Sequence, residues 1–198
     1  EIYRCDWSSD VCSSDLKAIY WLFITKAPIA VFICFIKTFL RHHKASKESF
    51  LQEPLNKYFS TDWFSVNIFY WKHIFYKKSL LNKNLSCLEI GSWEGRSALF
   101  LLSNLPKSNL TCVDTWAGAD EHKDLSVLSS IEKTFDTNLA EFDNRVQKFK
   151  GTSYSFFDTL DSGTKYDLIY IDGSHYVDDV MLDALKAFQR LNIGGIII

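Results

Sequence analysis

Cys87-Leu88-Glu89-Ile90-Gly91-Ser92-Trp93-Glu94-Gly95-Arg96-Ser97 reads as an apolar strand that ends in an acid, turns at a glycine and runs into a helix. Such a turn carries backbone N–H groups and a helix N-terminus toward a ligand, and the acid at the strand end can accept hydrogen bonds from it. A second acid, Asp114, closes the next apolar run, and a third, Asp172, closes a later one. Three strand ends with acids give the layout of a nucleotide-type pocket along the carboxyl edge of a parallel sheet.

The surrounding pattern extends that reading. Strands are expected at Ser86–Ile90, Asn109–Asp114, Arg145–Phe149 and Tyr166–Asp172, with a fifth opening at Ile196-Ile197-Ile198. Helices are expected over Arg96–Leu105, up to about Leu139, and from Val177 onward. The last has Val177, Val180, Met181, Ala184, Leu185, Phe188 and Leu191 on one face and Asp178 and Asp179 in its first turn. Leu168-Ile169-Tyr170-Ile171 is apolar at every position, as a strand covered on both faces should be. The fold class that follows is α/β: a Rossmann-like, doubly wound, mostly parallel sheet, cut short in strand five, with helices at its N-terminal side. No internal repeat or low-complexity tract interrupts it.

Ahead of the sheet, Thr61 or Asp62 can cap a helix on which Trp63, Phe64, Ile68, Trp71, Ile74 and Phe75 recur at helical spacing. These side chains suit the core; the other reading is that the helix lies over the pocket mouth. Residues 45–60 are polar and read as a linker. Ala18–Leu40 is the most apolar stretch, interrupted by Lys26, Pro28 and Lys37 and followed by Arg41-His42-His43-Lys44. Two readings stay open for it: a membrane-associated helix, or a helix packed on the domain or on a second subunit, the latter giving a homo-oligomer. Asp6–Leu16 resembles one reading frame of a sequencing-library adapter, so residues 1–16 are expected to be an artefact and are set aside. The domain scheme is therefore 1–16 artefact, 17–60 apolar helix and linker, and 61–198 catalytic domain with its C-terminal end cut off.

The 198 residues, 47% hydrophobic and 16% aromatic, are enough for one core. The net charge is -2. Leaving out Arg4 and the acids Glu1, Asp6, Asp10 and Asp15 turns 22 basic and 24 acidic residues into 21 and 20. A near-neutral chain without clustered Lys and Arg argues against nucleic acid as the partner and for a small-molecule or glycan acceptor. Cys5, Cys12, Cys34, Cys87 and Cys112 are scattered without a Cys-x-x-Cys pair, as expected of reduced packing residues in a cytoplasmic protein.

The run from Leu88 to Ser97 is joined by Val113-Asp114-Thr115-Trp116, Phe135-Asp136-Thr137-Asn138 and Tyr166-Asp167-Leu168-Ile169-Tyr170-Ile171-Asp172-Gly173-Ser174-His175. Together they resemble the class I S-adenosylmethionine-dependent methyltransferases, in particular the bacterial O-methyltransferase branch related to the macrocin and cephalosporin-pathway enzymes. The resemblance covers Asp62 to Ile198. It implies that Glu89, Gly91 and Gly95 hold the methionine part of S-adenosylmethionine and that Asp114 meets the ribose; Trp116 either packs on the adenine or closes the core edge, and Ser153 lies on the adenine side. Asp172 would face the methyl group. It would also bind Mg2+, as in the metal-dependent members, with acids that follow strand five. His175 would deprotonate an acceptor hydroxyl.

Two other functions remain in view. One is an NAD(P)-type dinucleotide-binding oxidoreductase, disfavoured because Ser92 and Trp93 deny the central glycine of Gly-x-Gly-x-x-Gly. The other is a non-catalytic, membrane-associated binding module.

Overall fold

A computed structural model describes residues 57–118 and 127–198. The expectations for 1–16, 18–40 and the linker up to residue 56 lie outside the described residues. Among the described residues no helix is long and apolar enough to cross a membrane.

The elements in chain order are α1 (Ile68–Lys77), β1 (Ser86–Ile90), α2 (Arg96–Asn104), β2 (Asn109–Asp114), α3 (Ile131–Leu139), β3 (Val146–Lys150), α4 (Ser153–Thr159), β4 (Tyr166–Ile171), α5 (Val177–Gln189) and β5 (Leu191–Ile197). The strands form one five-stranded sheet in the order β3-β2-β1-β4-β5, with every neighbouring pair parallel. Parallel neighbours need crossovers, and the helices between strands supply them on both faces. The chain reverses direction across the sheet at β1, which lies between β2 and β4. In open α/β sheets, that reversal is where a crevice forms at the carboxyl ends.

Side chains alternate between the two faces. Cys87, Leu110, Cys112, Leu168 and Tyr170 point to one face, where they pack with Phe64, Ile68, Trp71 and Phe75, the α2 run Ala98–Leu102, and Ile131, Phe135 and Leu139 of α3. Leu88, Ile90, Val113 and Ile169 point to the other, where Phe156 and Phe157 of α4 and Ala187 of α5 cover them. Of the aromatic stripe expected before β1, Phe64, Ile68, Trp71 and Phe75 are therefore core, while Ile74 is half-buried and Trp63 is exposed. Asp62 accepts the Ser65 N–H at 2.9 Å, where a short 3-10 turn at Ser65–Asn67 begins, and the α-helix starts only at Ile68, behind Asn67 without a side-chain cap.

Three expectations change. A helix, α4, follows β3 directly where no helix was expected; Thr152 caps it, accepting the Ser155 N–H. It is seven residues, about two turns, too short to show periodicity. Strand five begins at Leu191, earlier than expected. The glycine turn Asn192–Gly195 is a bulge inside it, since Tyr166 pairs with Leu191 and Leu168 only with Ile196. Finally, the apolar face of α5 is turned outward: Val177, Met181, Leu185 and Phe188 are 70%, 59%, 63% and 72% exposed, while Asp183 and Ala187 are buried.

Candidate functional site

The β1–α2 turn is shaped by close backbone packing. Gly91 has φ 87° and donates to Val113 O at 2.8 Å; a Cβ there would sit 2.0 Å from the Asp172 carbonyl oxygen. No other residue fits between the ends of β1 and β4 without moving one of them. Gly95, φ 82°, opens α2: its N–H reaches Ser92 O and its carbonyl accepts the Leu99 N–H. Both glycines of the sequence motif thus build the turn.

Glu89 is fully buried at the end of β1. Its Oε2 accepts the Cys112 thiol at 3.6 Å, and its Oε1 has no hydrogen-bond partner among the described residues. Burial pushes the carboxyl up to about 7, with the Ser92 and Ser97 hydroxyls, close by but outside hydrogen-bond geometry to Oε1, pulling down and the Asp172 charge adding to the rise. A buried carboxylate oxygen without a donor is costly. Its place beside the glycine turn gives a cationic or N–H-bearing ligand a ready partner.

Asp114 ends β2 with both oxygens engaged. Oδ2 accepts the N–H groups of Ser92 and Trp93, each at 2.8 Å, and Oδ1 accepts that of Trp116 at 2.7 Å. Trp116 is buried; its indole donates to Trp93 O at 2.9 Å, and its ring meets Phe135 at 4.9 Å and Lys148 Nζ at 4.6 Å. This is a core position, the core-edge one of the two readings the sequence left open for it. Ser153 starts α4, and its hydroxyl lies with the buried Asp183 of α5, which it pulls against the upward push of burial. That side chain serves the contact between two helices.

Asp172 is exposed just past β4, and its N–H is held by Ile90 O at 2.8 Å. The Tyr170 hydroxyl donates to Asp172 Oδ2 at 2.7 Å. Burial, then the Asp172 charge, raises the Tyr170 phenol far above its usual range, so it stays a donor. His175 is exposed three residues on, ahead of α5, on the same turn as Asp172. No group of three or more His, Cys, Asp or Glu that could hold a metal occurs among the described residues, so Asp172 has no companion ligands there and the Mg2+ assignment does not fit them.

Sequence reading missed three residues that tie the segment before α1 to the site. Glu94, buried, accepts the Ser60 N–H at 2.6 Å; Asn138 donates to Glu94 O at 2.9 Å and to Tyr58 O at 2.8 Å and accepts the Tyr58 N–H at 3.2 Å. Arg96, also buried, pairs with Asp62 at 3.6 Å and lies over the Phe59 ring. The available signal was polarity out of place: Glu94 inside a glycine turn and Asn138 on the apolar side of α3.

A sequence family described as a methyltransferase domain matches residues 88–198, more than half of the chain. The chain belongs to the methyltransferase domain family. It is also 29% identical over 120 residues to uncharacterized protein R132 of Acanthamoeba polyphaga mimivirus, covering 58% of this chain and 50% of that protein. This methyltransferase domain thus spans about half the length of that curated relative. Similar solved structures include cofactor-bound Rv0187 from MTB (17% identity, TM-score 0.49, 80% of this chain and 62% of that one). A SAM-dependent methyltransferase from Agrobacterium tumefaciens follows at 14% identity and TM-score 0.47, over 65% and 42% of the two chains. An rRNA methylase from Streptococcus thermophilus matches at 11% identity and TM-score 0.47, over 65% and 68%.

Proposed function

We propose that this methyltransferase domain binds S-adenosylmethionine at the carboxyl edge of β1 and passes its methyl group to an oxygen of a small molecule or glycan. The observation that carries the reading is Glu89, whose Oε1 is buried without a partner beside a glycine turn in a domain of this family. The residues fit the cofactor: Glu89 would accept from its amino group, and Gly91 and Gly95 keep the turn free of side chains on that side. Bound there, S-adenosylmethionine would supply an electrophilic methyl on a sulfonium.

The protein's own share is positioning and proton removal. The Asp172 carboxylate, steadied by the Tyr170 hydroxyl, lies just past β4 with His175 on the same turn. His175 would take the acceptor's hydroxyl proton as the oxygen attacks in line, and Asp172 would orient that hydroxyl. No step needs a metal ligand from the described residues. The near-balanced charge favours a small acceptor over RNA. An rRNA substrate, suggested by the rRNA methylase among the similar structures, is the competing acceptor.

Calorimetry on the full chain tests the cofactor. Binding of S-adenosylhomocysteine but not NAD is expected, and the opposite preference would transfer the chain to the dinucleotide oxidoreductases. Radiolabelled methyl transfer to pooled hydroxylated metabolites, with ribosomal RNA in parallel, tests the acceptor. Label appearing only in RNA would overturn the small-acceptor reading.

A further inference from the structure

The near-neutral charge of the chain hides an uneven distribution. Residues 17–88 carry 11 Lys and Arg against 3 Asp and Glu, and residues 89–198 carry 10 against 17. Between Asp62 and Glu89 no acid occurs, while Lys72, Lys77, Lys78 and Lys83 do. That stretch is α1 with the turns on either side of it. A block of one sign on one element sets up a local potential that the net charge of the chain does not report.

The fold turns this block outward. Phe64, Ile68, Trp71 and Phe75 are buried on the core side. Two residues on from each stand Val66, Tyr70, His73 and Lys77, all exposed. Two residues are about 200° of helix, so the second set lies opposite the first. Tyr76, Lys78, Leu81 and Lys83 extend the exposed surface around and past the helix end. Lys148 pairs with Glu132 and Asp136, and Lys186 with Asp158, but no salt bridge among the described residues engages Lys77, Lys78 or Lys83.

The chemistry of this face selects among partners. A second copy docking by two-fold symmetry would set these lysines against their own kind. Recognition of RNA favours the arginine fork, and residues 63–88 contain no arginine. Tyrosine, apolar in body and polar at its tip, settles at the headgroup level of a bilayer, and lysine beside it meets anionic lipid. Upstream, the apolar Ala18–Leu40 followed by Arg41-His42-His43-Lys44 is a separate sequence feature of the same chemistry.

We propose that the outward face of α1 and the turn after it form a docking surface for an anionic lipid membrane, with Tyr70 and Tyr76 at the headgroup level and Lys77, Lys78 and Lys83 against the lipid phosphates. The helix lies on the bilayer without crossing it, since its inner side belongs to the core. The proposal does not depend on the methyl-transfer reading.

The experiment acetylates the lysines of the full chain and reads each site by mass spectrometry. It is run without lipid, with phosphatidylcholine vesicles, and with vesicles of equal parts phosphatidylcholine and phosphatidylglycerol. The mixed vesicles should protect Lys77, Lys78 and Lys83 while Lys133, exposed on α3, reacts as before. Phosphatidylcholine alone should protect them less, and added salt should restore their reactivity. A variant combining Lys77→Gln, Lys78→Gln and Lys83→Gln should partition onto the mixed vesicles about a hundredfold more weakly, at about fivefold for each lysine near an anionic surface. Its partition onto phosphatidylcholine should not change, because any hold by Ala18–Leu40 is left intact. All three side chains are exposed, so its melting temperature should match wild type.

Equal reactivity of the three lysines with and without mixed vesicles would overturn the proposal, even in a chain that sediments with lipid through another segment. So would a triple variant that partitions like wild type. Protection by ribosomal RNA and not by vesicles would give the face to RNA instead. Protection that grows with protein concentration in the absence of lipid would give it to a second copy.

Discussion

The two faces of the sheet are built differently. On the α1, α2 and α3 face, Phe64, Trp71, Phe75 and Phe100 are buried in one cluster, with ring centroids 5.2 to 6.2 Å apart where they meet Phe100. On the α4 and α5 face, Phe156, Phe157 and Ala187 cover the strands, and α5 shows its apolar stripe to the outside. Polar contacts explain the orientation. Lys186 pairs with Asp158 of α4 at 3.0 Å, the Arg190 guanidinium binds the Leu160 and Asp161 carbonyls, and Asp183 lies with Ser153. Three side chains, two on α5 and one just past its end, hold the polar side of α5 inward. An amphipathic helix therefore declares which face is apolar, while its partners decide which face is buried.

The contrast is broken or sharpened most strongly at Phe100, which α2 buries among those aromatic rings. Phe100→Ala should cost about 3–5 kcal/mol in urea unfolding, the range for a large aromatic lost from a core that cannot collapse around the gap. A loss under 1 kcal/mol would mean that the first face is no better packed than the second.

Next comes a difference between the buried acids of the two faces. Glu89 on the first is pushed to about 7 from an ordinary 4.5, and Asp183 on the second is raised as well. Both folded-state values lie above the unfolded ones, so the folded protein keeps these protons longer. The resulting stability is full below about pH 4.5 and is lost as pH rises toward 7. For Glu89 the linkage amounts to about 3 kcal/mol. Glu89→Gln should flatten the fall in unfolding free energy between pH 5 and pH 7 set by that shift, while abolishing cofactor binding. Asp183→Asn should flatten it less. A pH profile unchanged by Glu89→Gln would mean that the Glu89 carboxyl is solvated in the folded state.

The smallest effect is expected on the outward stripe. Phe188→Ala should change stability by no more than about 0.5 kcal/mol, as surface substitutions do. A loss of about 2 kcal/mol or more would show that something covers α5 in solution, and the two faces would then be alike.

Much of the site was legible because it follows from chain-local chemistry. Strand alternation, the acids at strand ends and the two glycines are short-range patterns, and β1 and β2 fall within their expected bounds. Glu89, Gly91 and Gly95 came together as read. Trp116, Ser153 and Asp114 were harder. Each carries a side chain that could serve a ligand or the protein, and the choice depends on donors far away in sequence.

The amino-acid sequence by itself determined a parallel α/β sheet with a glycine turn at its centre, because period-2 and helical patterns and glycine torsions are properties of a few consecutive residues. Only the tertiary structure decided three matters. Asp114 spends its oxygens on Ser92, Trp93 and Trp116, Tyr170 reaches Asp172, and α5 turns its apolar stripe outward. Each results from hydrogen bonds or packing between separate elements, and no local pattern encodes which partner lies within reach.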